Sequence, residues 1–205
     1  MRGLLLIAVM MTLVWGPARA ENCAPPHDTV LTHVNVVDVE RGIVRKDRAL
    51  VLSKGRIATE VSAIGLVAEI APGAERVDGA GAFVIPGLWD MHVHTLWNRD
   101  VPEPFFRLFL RSGVTAVRDM GGDLQVGLET RGRIESCTSS APHVWFPGPF
   151  LDGPQPVDPS LSIALSTPDE GRAAVKMLRG RGVDFIKVYS LIPPDVFDAV
   201  VDEAA

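Results

Sequence analysis

Lysine and arginine are neither numerous nor clustered: 20 basic residues face 25 acidic ones in a chain of 205. With a net charge of −5 and a pI near 5.5, nothing in the electrostatics calls for nucleic acid as a partner. No apolar run reaches the roughly 20 residues that a membrane-spanning helix needs. Cysteine is nearly absent. Cys23 and Cys137 have neither a zinc-finger spacing nor the surroundings of a nucleophile, which leaves a disulfide or two unpaired thiols. No glycine-rich phosphate loop follows the first strand of the α/β region, which disfavours a doubly wound nucleotide-binding sheet. What remains, 47% apolar and 22% charged residues, is a globular composition. The length suits one or two domains with a sizeable core.

The N-terminus has its own texture. Arg2 precedes the apolar run Gly3 to Trp15, and small residues follow at Ala18 and Ala20. This pattern predicts a secretory signal peptide over residues 1–20, cut before Glu21, and a secreted or periplasmic protein free of the membrane afterwards. An uncleaved anchor is the alternative. Cys23 has no lipobox before it. In an oxidising compartment Cys23 and Cys137 could pair.

Two regions follow. Residues 21–83 read as short strands and turns, with Glu40-Arg41-Gly42, Lys54-Gly55-Arg56 and Asp78-Gly79-Ala80-Gly81 as punctuation, and predict a small β module of sheet packed on sheet. Residues 84–205 alternate strands with helices. Strands are expected to end near residues 94, 119, 150 and 189, with Val144–Phe150 the third and Val183–Tyr189 the fourth. Helices are expected over Pro102–Arg111, to about Glu135, from Thr167 to about Gly180, and from Pro193-Pro194 onward. Thr167-Pro168-Asp169-Glu170 carries an N-cap, a first-turn proline and a capping-box glutamate. Four βα units at this spacing predict a parallel sheet, and the fold class is α/β.

Candidate chemistry sits at strand ends. Val84 to Leu96 reads as a buried strand that ends in His92 and His94, and side chains two apart share a face, so Asp90, His92 and His94 project together. Two imidazoles converging at a strand's carboxyl end make half of a metal site of the kind that keeps an open position for water. In Gly182 to Ser190, Ile186 and Val188 suit a helix-facing side, which turns Lys187 to the other face. A buried lysine there requires a partner, such as Asp119 or Asp90, or a function. His143 stands at the start of the third strand, and His27 and His33 are expected at the surface.

Pro86-Gly87-Leu88-Trp89-Asp90-Met91-His92-Val93-His94, with the glycine-punctuated β module before it, resembles the amidohydrolase superfamily, closest to its imidazolonepropionase-like and prolidase-like members. Asp119-Met120-Gly121-Gly122 and Phe185 to Tyr189 match more weakly, in the right order. The resemblance implies a (β/α)8 barrel beside a small β-sandwich, here the first four βα units. It implies His92, His94 and Lys187 as metal ligands, Lys187 as a carbamate bridging two cations, and Asp90 and Asp119 in support. Zinc, one or two ions, is the expected metal, and manganese, cobalt or iron would also suit the donors. The family's further histidines and its proton-handling aspartate would fall beyond residue 205, so no catalytic acid or base is expected within the chain. A whole barrel takes about 250 residues.

The expected function is hydrolysis of a carbon–nitrogen bond in a small amide or dipeptide-like substrate by metal-activated water, with little activity from these residues alone. The alternatives are a non-catalytic fragment with weak or no metal binding, or half of a barrel completed by a second copy or a complementing C-terminal half.

Overall fold

The computed structural model describes residue 23, residues 27–63 and residues 71–205. The expected signal peptide lies outside the described residues. None of the described helices is long and apolar enough to cross a membrane.

The first sheet is built from local turns. β1 (Thr29–Asp38), β2 (Ile43–Ser53) and β3 (Arg56–Ser62) form an antiparallel meander. Lys54 and Gly55, both at positive φ (50° and 70°), close the second hairpin as a two-residue loop whose twist matches its strands. β4 (Glu75–Asp78) and β5 (Phe83–Val84) then run parallel to β1 along its other edge, beside Thr29–Thr32 and Asn35–Val36 in turn. Alternation sends Ala49, Val51 and Val61 to one face, where they pack with Val30 and Ala71. On the other face Arg45 forks onto Glu60 at 2.8 and 2.9 Å and reaches Asp38 at 2.6 Å. Among the described residues this is one sheet of five strands rather than the expected sandwich.

Three residues, Ile85-Pro86-Gly87, carry the chain into a second sheet. β6 (Leu88–Val93), β7 (Val114–Asp119) and β8 (His143–Trp145) lie parallel in that order, joined through α1 (Pro102–Arg111) and α2 (Leu124–Glu135). The boundaries of α1 and β7 fall where the sequence predicts them. α1 has Glu103 in its first turn and Arg111 in its last, each favourable to the helix dipole, and Gly113 follows at φ 78°.

Two expectations fail in this region. Among the described residues β6 is an edge strand, paired on one side only, and Leu88, Trp89 and Met91 are about half exposed rather than buried. Phe83 and Val84 do not enter β6; they belong to the first sheet, and Phe83 is exposed.

The expected third strand breaks in two. Pro147 and Pro149 offer no N–H to a ladder, and Gly148 between them takes φ 74°. β8 therefore stops at Trp145, and β9 (Phe150–Asp152) begins beyond the break, inside the proline- and glycine-rich stretch Gly148–Ser160 that reads as loop, and pairs in parallel with β10 (Ser162–Ala164). The expected fourth strand is not regular either. Only Val188 bridges to Leu151, held by Leu151 N–H to the Lys187 carbonyl and Tyr189 N–H to the Leu151 carbonyl, both at 2.8 Å.

α3 (Pro168–Gly180) starts on the predicted capping box, with Thr167 Oγ1 accepting from Glu170 N and Glu170 Oε2 from Thr167 N. α3 and α4 (Pro194–Ala204) bury Val175, Leu178, Val196 and Val200 against Leu151 and Leu165, with Ile186 and Val188 packed alongside. A disulfide joins Cys23 to Cys137 in the turn after α2.

Candidate metal centre at the strand ends

β6 delivers His92 within its last turn of pleat and His94 just past its end. The two rings lie 5.3 Å apart between centroids, inclined at 60°. His94 Nδ1 is 3.0 Å from the carbonyl oxygen of Gly121. A carbonyl only accepts, so Nδ1 carries a proton, which in the neutral ring leaves the Nε2 lone pair free, the tautomer that a metal-ligating imidazole needs. Gly121, at φ 133°, leaves room for Phe150: a Cβ there would overlap the Phe150 ring. That ring meets His94 edge-on, 6.0 Å away at 86°. Trp97 flanks the imidazole at 5.8 Å.

Asp119 is fully buried at the carboxyl end of β7. Its Oδ2 accepts from Thr95 N at 2.6 Å and Thr95 Oγ1 at 3.0 Å, and Oδ1 accepts from Gly121 N at 3.1 Å. Burial pushes its carboxyl above the usual aspartate range; the Thr95 and Gly121 donors and the nearby His94 act against that shift. The side chain thus fixes the residue after His94 and the residue whose carbonyl orients His94. Asp90 is half-buried and accepts from His92 N at 3.1 Å. The β6–β7 pairing is irregular between Asp90 and Val93, where His92 leaves the regular ladder.

Lys187 alternates with Ile186 and Val188, which pack into the core under α3 and α4, so its side chain leaves from the opposite side. The Tyr189 ring stacks on Phe150 at 5.0 Å and lies 5.7 Å from Lys187 Nζ. An unbroken series of ring contacts therefore runs from His94 through Phe150 and Tyr189 to the lysine amine. Lys187 forms no ion pair with Asp90, Asp119 or any other carboxylate among the described residues. No three His, Cys, Asp or Glu side chains among the described residues gather as a metal cluster. His143 begins β8 beside Trp145, and His27 and His33 are exposed, as expected.

Comparison with known proteins adds a second line. No family model matches the chain. Over 188 residues it is 27% identical to imidazolonepropionase of Cupriavidus taiwanensis, covering 87% of this chain and 45% of that protein. Adenine deaminase of Thermosipho africanus is 36% identical over 90 residues, 44% of this chain and 14% of the relative. Along most of its length the chain is similar to proteins of the amidohydrolase superfamily.

Solved structures agree on the fold. A proposed prolidase from Bifidobacterium longum superposes with a TM-score of 0.73 at 24% identity, over 87% of this chain and 47% of that one. A Xaa-Pro dipeptidase with bound methionine gives 0.70 at 20% identity, over 86% and 54%. The chain spans about half the length of this imidazolonepropionase and of these two solved structures.

Sequence reasoning missed Asp152, fully buried at the end of β9, because Gly148 to Ser160 reads as a proline- and glycine-rich loop. It also missed Phe150 and Tyr189 as the aromatic link between His94 and Lys187. The available signal was Leu151-Asp152-Gly153, an apolar strand end followed by an aspartate and a glycine.

Proposed function

We propose that this chain carries the first strands of a metal-dependent amidohydrolase barrel, and that the whole enzyme hydrolyses a carbon–nitrogen bond in a small amide or dipeptide-like substrate. The observation that carries the reading is the His94 tautomer. Its Nδ1 proton is committed to the Gly121 carbonyl, its Nε2 is free, and a second imidazole stands 5.3 Å away. His92 is exposed and His94 half-buried, so the support comes from the His94 hydrogen bond and not from burial of the pair. The relatives support the bond class, since imidazolonepropionase, adenine deaminase and Xaa-Pro dipeptidase are named for carbon–nitrogen substrates.

The donors fit a divalent cation of zinc's type. His92 and His94 would hold it through imidazole nitrogen, with Lys187 as a further ligand after its amine has added carbon dioxide and released a proton to give an anionic carbamate. Bound there, the metal supplies Lewis acidity that polarises a carbonyl and lowers the pKa of water. The chain's own residues prepare the place. Gly121 holds the His94 proton, Asp119 anchors the backbone on both sides of that contact, and the edge of Phe150 shields one side of the imidazole from water. The disulfide supports an exported protein, in keeping with the proposed signal peptide.

Titration with cobalt(II), followed by visible absorption, tests the reading. The full chain is expected to develop ligand-field bands that His92→Asn and His94→Asn each abolish, and Lys187→Ala to reduce the number of ions held. Bicarbonate should add one carbon dioxide mass at Lys187. Absence of bands in a folded chain, judged by near-ultraviolet circular dichroism, would refute metal binding and leave a non-catalytic fragment as the reading.

A further inference from the structure

Asp152 has no exposed surface, and its carboxylate is filled by three backbone donors from two different loops. Oδ1 accepts from Gly153 N at 3.0 Å and Leu191 N at 2.7 Å, and Oδ2 accepts from Val157 N at 2.9 Å. Gly153 and Val157 belong to the loop after β9. Leu191 belongs to the loop that follows the Lys187 segment. The two loops touch backbone to backbone: a Cβ on Gly153 would overlap the Leu191 carbonyl.

The Lys187 segment needs such a hold. It lacks a regular ladder and is tied to β9 by the two bonds around Leu151, with Asp184 N–H donating to the Phe146 carbonyl at 3.0 Å further back. Asp184 Oδ2 also accepts from Phe146 N at 2.9 Å and from Arg131 Nη2 at 2.6 Å, and Ile186 and Val188 pack in the core, so the start and middle of the segment are fixed and its exit past Tyr189 is the end still to be held. The Leu191 bond to Asp152 lies just past Tyr189 and pins the segment at that end.

The same device occurs at β7. There Asp119, equally buried, takes the N–H of Gly121 in its own loop and that of Thr95 in the neighbouring strand's exit, and a Cβ on Gly122 would come within 2.6 Å of the Leu96 carbonyl. One clamp holds the exit of the His94 strand and the other the exit of the Lys187 segment.

We infer that Asp152 is a positioning residue that fixes the exit of the Lys187–Tyr189 segment and ties the loop after β9 across it. Its functional meaning rests on Lys187 belonging to the site; its structural content does not. The two oxygens have separate duties, which gives the test its resolution. In Asp152→Asn the amide oxygen can keep Gly153 and Leu191, while the NH2 group faces Val157 N–H, donor against donor. In Asp152→Ala both sets of bonds are lost.

Amide hydrogen exchange on the full chain reads the difference without metal or substrate. Asp152→Asn should speed exchange at Val157 about tenfold and leave Leu191 and Tyr189 protected. Asp152→Ala should speed all three by about tenfold or more, with Val175 in α3 unchanged. The Lys187 amine in the alanine variant should also react faster with an amine-selective reagent than in the asparagine variant, relative to Lys176. If Leu191 and Tyr189 keep their protection in Asp152→Ala, the assignment is overturned. Should the alanine variant fail to fold, equal acceleration at Val157 and Leu191 in the asparagine variant would overturn it equally. Loss of cobalt binding in the unmodified chain would refute the metal reading alone.

Discussion

Replacing Cys23 and Cys137 together by serine would open a cross-link between residues 114 apart in sequence. In the chain-entropy description, closing a loop of that length removes about 16 cal/mol/K from the unfolded ensemble, or about 4.8 kcal/mol at 25 °C. Domains of this size are stable by only about 5–15 kcal/mol, so the cross-link would be a large share of the total. Urea unfolding followed by circular dichroism measures it. With a slope of about 2 kcal/mol/M, the midpoint should fall by about 2 M while the slope rises slightly, because the unlinked chain unfolds further. Reduction of the unmodified chain with dithiothreitol should give the same shift, and thiol titration should then count two free cysteines. A shift under about 0.5 M in both experiments would refute the reasoning, since a formed cross-link of this span must restrict the unfolded chain.

Gly121→Ala places a methyl group on the Phe150 ring at φ 133°, and strain plus overpacking should cost about 3 kcal/mol, read as a fall in the urea midpoint. Phe106 is the fully buried residue of α1, and Phe106→Ala should cost about 3–5 kcal/mol in the same assay, against under about 0.5 kcal/mol for exposed Leu108→Ala. Glu129 accepts both prongs of Arg99 at 2.7 Å, and this pairing lowers its carboxyl to about 2. Because the folded pKa lies below the unfolded one, the pair's contribution is complete above about pH 4.5 and is lost as pH falls toward 2. Carboxyl carbon NMR should show Glu129 titrating near the bottom of that window, and Arg99→Gln should return it toward the ordinary glutamate range.

Elements with chemical punctuation were readable in advance. α1 and α3 announce themselves through Pro102, Gly113 and the Thr167–Glu170 box, and β7 through Val114 to Asp119 between a glycine and a Gly-Gly pair. The pairing of His92 with His94 was also readable, because a period of two needs no tertiary information. Strands with weak ladders were not. Pro147 and Pro149 break a run that reads as continuous, and the Lys187 segment has strand composition but too few partners to become one. Burial of β6 was misjudged because the apolar Phe83-Val84-Ile85 run reads as the start of a strand entering a core, whereas exposure depends on what lies at the strand's free edge. Asp152 and the Gly121 carbonyl escaped because their roles are set by contacts between loops 27 to 39 residues apart in sequence, which no local pattern encodes.

The short Ile85-Pro86-Gly87 passage has a mechanical consequence. Val84 is still paired with β1 and Leu88 already donates to the Gly113 carbonyl, so about 10 Å of chain, stiffened by a proline, spans the gap. A Cβ on Gly87 would overlap Thr115, which leaves that passage no sideways play. Displacement of the first sheet is therefore expected to carry through to the histidine strand. An inserted glycine-serine spacer at this point should decouple the two layers and convert a rigid strut into a hinge.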